Sequence, residues 1–229
     1  MSTNTTSPLI AIARHRLAVD GQGVTTLVAF HGCPLRCCYC LNPQCLKADG
    51  VWKTVRPDEL LEMVMADNLY FEATGGGITF GGGEPLLRAD FIATFCQLVE
   101  ADERIHTPWR ISLETSLNVP HKNVETVLPF VHHFIVDVKD MNPDIYQRYT
   151  TQRQGPVLNN LKMLASVQTQ TKVTLRLPLI PDFNTPTDVS ASRQQLEAMG
   201  FDDFDEFEYI KSACQHAGQS SLHADTHKY

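Results

Sequence analysis

Six short β-rich runs with one helical pattern between each neighbouring pair constrain this chain more than any other feature. The runs are Thr25 to Phe30, Gly77 to Phe80, Arg110 to Glu114, Phe134 to Val138, Lys172 to Leu177 and Phe204 to Ile210. The helical patterns fall at Pro57 to Asp67, Ala89 to Ala101, Val119 to Leu128, Pro156 to Ser166 and Asp188 to Met199. The last is expected to open at Thr187 or Asp188 and to close at Gly200, while the Pro181 to Pro186 stretch reads as a loop. Strict alternation means βα units and a parallel sheet. Six strands are too few for an eight-stranded barrel, so the expected architecture is α/β, an incomplete (β/α)6 barrel. It would form one domain over residues 1–229, since 43% hydrophobic content over that length supplies one sizeable core. Reactive residues then belong at the C-terminal ends of the strands.

Charge and composition exclude several function classes. A net charge of -7 without runs of Lys and Arg argues against a nucleic-acid surface. The apolar stretch Pro8 to Ala13 is short and has no basic segment before it, unlike a secretory signal, and no apolar run reaches membrane-spanning length. Seven cysteines, four of them between Cys33 and Cys40, fit metal ligation in a reducing compartment better than a disulfide framework. The expected location is the cytoplasm, under low oxygen.

Those cysteines directly follow the first strand. HGCPLRCCYC holds Cys33, Cys37 and Cys40 in a CxxxCxxC triplet. A four-iron cubane takes four ligands, so three thiolates leave one iron open for chemistry. Zinc is the competing occupant, but zinc sites usually pair two CxxC-like elements and no second pair exists here. Cys45 could supply a fourth thiolate and close the site; it is read as a non-ligand, with Cys38, Cys96 and Cys214. Gly75 to Pro85, GGGITFGGGEP, follows about forty residues on, and its glycines let backbone groups approach a ligand without an intervening Cβ.

Together the two motifs resemble the radical S-adenosylmethionine (SAM) superfamily. VDGQGVTTLVAFHGC, ISLETS, FIVDVKDMN and KVTLRLPLIPDFN narrow the resemblance to its glycyl radical enzyme activating enzymes, typified by the pyruvate formate-lyase activating enzyme. The resemblance implies the incomplete barrel, a cluster loop at 33–40, one [4Fe-4S] cluster on Cys33, Cys37 and Cys40, and SAM. It places Tyr39, Cys40 and Leu41 near adenine, and Gly82, Gly83 and Glu84 at the amino group. Asp20 falls near the site, Glu114 and Thr115 near the methionine end, and Asp137, Val138 and Lys139 in contact with the cofactor. Lys139 suits the SAM carboxylate and Glu114 its ammonium. A monovalent cation is expected near Glu114 and Asp137. Arg176 matches an arginine of the fifth strand, a structural salt-bridge partner being the other reading. His216 is matched to a C-terminal histidine, with His223 and His227 as rivals.

The implied reaction is reductive SAM cleavage to a 5'-deoxyadenosyl radical, which takes hydrogen from a glycine of a partner glycyl radical enzyme. An electron donor such as flavodoxin or ferredoxin would feed it, and the chain is expected to act as a monomer without nucleic acid or membrane. The sequence departs from the pattern at Leu41, where a histidine is usual, at Gln22, at Gly81, and at Glu114 in place of an aspartate. Two rival readings are a radical SAM enzyme acting on a small molecule and a non-catalytic zinc or iron-sulfur module.

Overall fold

The structure is a computed structural model that describes residues 5–17, 20–167 and 171–209. Among the described residues eight strands form one sheet: β1 (Ser7–Leu17), β2 (Val24–Phe30), β3 (Lys53–Val55), β4 (Gly77–Gly82), β5 (Arg110–Thr115), β6 (His133–Asp137), β7 (Lys172–Leu179) and β8 (Phe204–Glu208). Their order across the sheet is β3-β1-β2-β4-β5-β6-β7-β8. From β2 to β8 every pairing is parallel, which gives the six expected strands of an incomplete barrel. Two strands extend it: β1 lies antiparallel to β2, and β3 antiparallel to β1. Among the described residues no helix is long and apolar enough to cross a membrane.

Among the described residues seven α-helices accompany the sheet: α1 (Pro57–Val64), α2 (Asn68–Thr74), α3 (Ala89–Ala101), α4 (His121–Val127), α5 (Pro143–Thr150), α6 (Gly155–Val167) and α7 (Pro186–Ala198). β2 is buried along nearly its whole length, as a strand covered on both faces must be. Facing it, α3 buries Phe91, Ile92, Phe95, Cys96 and Val99, the spacing of one helical face. Phe30 and Phe80 stack with centroids 5.7 Å apart, and Phe91 and Phe95 meet them edge-on at 5.7 and 5.5 Å. Each such ring contributes about 1.5–3 kcal/mol through burial, so this cluster fixes how β2 and β4, the two strands that lead into the cysteine loop and the glycine run, sit together.

Three expectations need correction. The helix expected over Pro57 to Asp67 stops at Val64 and passes through a 3-10 turn, Met65–Asp67, into α2. The turn swings the Asp67 carboxylate inward, where Arg14 and Thr26 each bond it at 2.7 Å. α7 is capped by Thr185, not Thr187 or Asp188; Thr185 and Asp188 bond reciprocally in a capping box, with Pro186 at the first helical position. α5 was not foreseen, although Asn142 caps it through Asp144 N at 2.9 Å and Pro143 opens it.

Candidate active site

At the C-terminal ends of the strands a cavity of 390 Å3 opens, walled by the cysteine loop, the glycine run and the ends of β5 to β8. Cys33, Cys37 and Cys40 all line it, while Cys38 is exposed and stays outside. The loop is held from three sides. Arg36 N and Cys38 N donate to Thr150 O and Tyr149 O at 2.9 and 3.1 Å, using carbonyls that the C-terminus of α5 leaves open. Gly32 N donates to Cys45 O at 2.9 Å, and the Arg36 guanidinium bonds Cys33 O at 2.9 Å. From the far side Asn42 Nδ2 reaches Gly82 O at 3.0 Å.

The glycine run lies against that loop. Gly83 N donates to Phe30 O at 2.9 Å and Glu84 N to Gly32 O at 2.8 Å. A Cβ on Gly83 would stand 2.2 Å from Gly32 O, and one on Gly82, at φ 95°, would stand 2.8 Å from Ala29 Cα. Only glycine allows that approach. Glu84 is 1% exposed and does not line the cavity. Its carboxylate accepts from Thr115 Oγ1 at 2.7 Å, Ser116 Oγ at 2.6 Å, Ser116 N at 2.9 Å and Leu86 N at 3.2 Å. Glu84 thus fastens the glycine run to the end of β5. Burial pushes its pKa up, against those bonds.

Thiol acidity differs sharply around the cavity. Burial raises Cys33 to about 12 and Cys37 to about 11. Cys40 falls to about 6, first through a hydrogen bond from the buried Cys45 thiol, which is itself pushed up. Among the described residues no three Cys, His, Asp or Glu side chains converge on one point as a single metal ion requires. A cubane makes no such demand, because each thiolate takes a separate iron. Three thiols on one cavity wall, with Lys139 close enough to favour the thiolates of Cys37 and Cys40, suit that donor set.

Opposite the thiols the wall consists of charge pairs. Adjacent parallel strands bring Asp137 beside Arg176, and Arg176 beside Asp205. Arg176 Nη1 donates to Glu114 Oε1 at 2.9 Å, and Lys139 Nζ to Asp137 Oδ2 at 3.0 Å. Both acids expected beside a monovalent cation therefore carry a protein cation. Burial raises the pKa of Glu114 despite Arg176. For Lys139 burial is the largest single influence and opposes the charge, but Asp137, with Tyr209, Cys37 and Tyr149, together outweighs it and holds the pKa well above the usual lysine value.

Of the residues singled out from sequence, Tyr39, Cys40, Leu41, Gly82, Gly83, Glu114, Asp137, Lys139 and Arg176 meet in this cavity. Tyr39 OH is tied to Asp182 at 2.8 Å, and Leu41 sits at the mouth, 62% exposed. Val138 is buried and does not line the cavity, its N bonding Arg176 O at 3.0 Å. Asp20 lies beneath, buried on Arg16 and Thr25, and its carbonyl accepts from Thr79 Oγ1 at 2.7 Å. His216, His223, His227 and Cys214 lie outside the described residues. Tyr149, Tyr209, Ser116, Asn42 and Arg16 line the cavity without having been foreseen. For Tyr149 a signal existed, the Asn-Pro start of α5.

The profile described as the radical SAM superfamily matches residues 27–187, and the chain belongs to that superfamily. Within it the chain groups with the glycyl radical enzyme activating enzymes: it is 37% identical to the (2S)-3-sulfopropanediol dehydratase activating enzyme of Klebsiella oxytoca, the match covering 72% of this chain and 69% of that one. It is 32% identical to the pyruvate formate-lyase-activating enzyme of Clostridium pasteurianum, covering 71% and 65%. The chain thus spans about two thirds of the length of these relatives. Among solved structures, Streptococcus suis SuiB bound to S-adenosylmethionine superposes with a TM-score of 0.59 at 11% identity, covering 80% of this chain and 42% of that one, a likeness of fold. The cofactors of the superfamily are a [4Fe-4S] cluster and SAM.

Proposed function

We propose that this chain is an activase that generates a glycyl radical on a partner enzyme. The observation that carries the reading is the convergence of three thiols, a glycine run with close backbone approach, and paired charges on one 390 Å3 cavity at the strand ends. When bound, cluster and SAM supply one-electron cleavage of SAM to a 5'-deoxyadenosyl radical, which takes a hydrogen atom from a glycine Cα of the partner. Cys33, Cys37 and Cys40 would hold the cluster, and metal would displace the protons that burial keeps on Cys33 and Cys37. Tyr39 and Leu41 flank the loop where adenine would lie. Gly82 and Gly83 present backbone to the amino group, while Glu84 positions them from behind. Lys139 offers a permanent positive charge to the carboxylate, and Glu114, oriented by Arg176, faces the cationic end. Glu114 and Asp137 are also where a monovalent cation would sit.

The exposed Leu41 marks the entry for the partner's glycine loop. A protein electron donor such as flavodoxin or ferredoxin supplies the electron, and the chain works as a monomer in the cytoplasm. The test is electron paramagnetic resonance on anaerobically reconstituted, reduced protein with and without SAM, followed by an assay for 5'-deoxyadenosine and for a radical on a candidate partner. The expected result is a cluster signal that shifts with SAM, product formation, and a glycyl radical only when the partner is present. A signal indifferent to SAM would overturn radical SAM chemistry at this site. Product without any protein radical, in the presence of candidate glycyl radical enzymes, would favour a small-molecule substrate.

A further inference from the structure

One side of the cavity is aromatic, and neither the motifs nor the paired charges account for it. Tyr149, on the last turn of α5, is 1% exposed. Its ring meets Phe183 at 5.1 Å and lies 6.3 Å from both Tyr39 and Tyr209. Tyr209, just past the end of β8, accepts a 3.1 Å hydrogen bond from Lys139 Nζ, whose ammonium also stands 5.8 Å from the Tyr209 ring. Tyr149 and Tyr209 both line the cavity, in company with Lys139 and Cys37.

The donors on this wall are unequally committed. Arg16 is bonded to Asp20 and Arg176 to Glu114, so both guanidinium groups already serve carboxylates of the chain. Lys139 gives two bonds, to Asp137 and Tyr209, and an ammonium has three protons to give. The Tyr149 hydroxyl faces that of Tyr209 but is buried without a hydrogen bond of good geometry. A buried hydroxyl left in that state costs about 1–3 kcal/mol, and Tyr149 stands on the wall of the cavity, where a bound ligand brings an acceptor beside it. A phenol beside an ammonium suits an anionic acceptor.

Resting on the SAM reading of this pocket, we propose that Tyr149 is a SAM-binding residue of this chain, donating its hydroxyl proton to the cofactor's carboxylate beside Lys139, with Tyr209 as the positioning residue that aims the lysine. The wall then selects a ligand by its carboxylate and does so with a neutral donor, which adds no further charge to a cavity whose charges are already paired.

The test uses the cluster-loaded chain and two ligands, SAM and decarboxylated SAM, with wild type, Tyr149→Phe and Tyr209→Phe. Phenylalanine keeps the ring packing, so iron content should stay at the wild-type value. Tyr149→Phe should raise the Kd for SAM about ten- to a hundredfold, the size expected for a hydrogen bond to a charged group, and leave the Kd for decarboxylated SAM where it was. Tyr209→Phe should show the same selectivity with a smaller loss, about three- to tenfold. Unchanged SAM affinity in Tyr149→Phe would overturn the inference. Equal losses for both ligands, or loss of iron, would overturn it too, by showing a structural role. If wild type binds SAM and Tyr149→Phe binds it equally well, only this inference fails; if loaded wild type binds neither ligand, the SAM reading of the pocket fails with it.

Discussion

The two walls of the cavity are built by different means. On the β2–β4 side the cysteine loop and the glycine run are fixed by main-chain hydrogen bonds: Gly83 N to Phe30 O, Glu84 N to Gly32 O, and two loop amides to the end of α5. On the β6–β8 side, position is set by side chains holding side chains, Arg176 on Glu114 and Lys139 on Asp137 and Tyr209. A main-chain wall tolerates few residue types, because the backbone itself is the contact surface. A side-chain wall can be retuned one residue at a time while the fold persists. The three thiols keep the family spacing, while departures from the family pattern fall on both walls, at Leu41 and Gly81 on one and at Glu114 on the other.

The largest effect expected is on the rigid wall. Cys40→Ala should abolish both stable cluster binding and SAM cleavage, whereas Cys45→Ala should leave iron content largely intact and remove only the hydrogen bond that acidifies Cys40. Iron and sulfide analysis with paramagnetic resonance reads this directly, and loss of the cluster in the Cys45 variant would erase the distinction between ligand and neighbour.

Next comes Glu84→Ala, which strands the Thr115 and Ser116 donors that now bond the carboxylate. Stability should fall by about 2–4 kcal/mol, the cost of several unsatisfied buried groups, measured by urea unfolding of the apo chain. A loss below the effect of an ordinary surface substitution would mean that the glycine run does not depend on that anchor.

The smallest effect concerns the floor of the side-chain wall. His133 bonds Thr174 Oγ1 at 2.8 Å, and burial lowers its pKa to about 4. A depressed folded pKa stabilises the chain above the unfolded value near 6.5, and that contribution is lost as pH falls from about 6.5 towards 4. Because the ring is partly open to solvent, screening limits the loss to about 1–2 kcal/mol. His133→Gln should flatten this part of the stability profile; an unchanged profile would assign the acid sensitivity elsewhere.

Much of the frame is legible in the sequence because burial on both faces writes strands such as Thr25 to Phe30 as continuous apolar runs. β1 escaped notice since its second half begins Arg14-His15-Arg16, polar residues that are exposed or half-buried, and β3 has only three residues. The helix after Pro57 looked longer than it is because periodicity cannot show that Asp67 turns inward to meet Arg14 and Thr26. The site divided the same way. Motif spacing found the thiols and the glycines; the Asn142-Pro143 start signals the helix that carries Tyr149, but that α5 and the end of β8 dock so as to bring Tyr149 and Tyr209 to the cavity is a long-range matter that no local pattern carries.

The clamp between the cysteine loop and α5 has a kinetic consequence. With Arg36 N and Cys38 N bonded to the helix end, two main-chain anchors restrict the loop independently of any cluster, so fewer loop conformations have to be searched when one is loaded. Each loop conformation removed in advance lowers the entropic cost of cluster loading, so the clamp to α5 speeds maturation for a given supply of iron and sulfide.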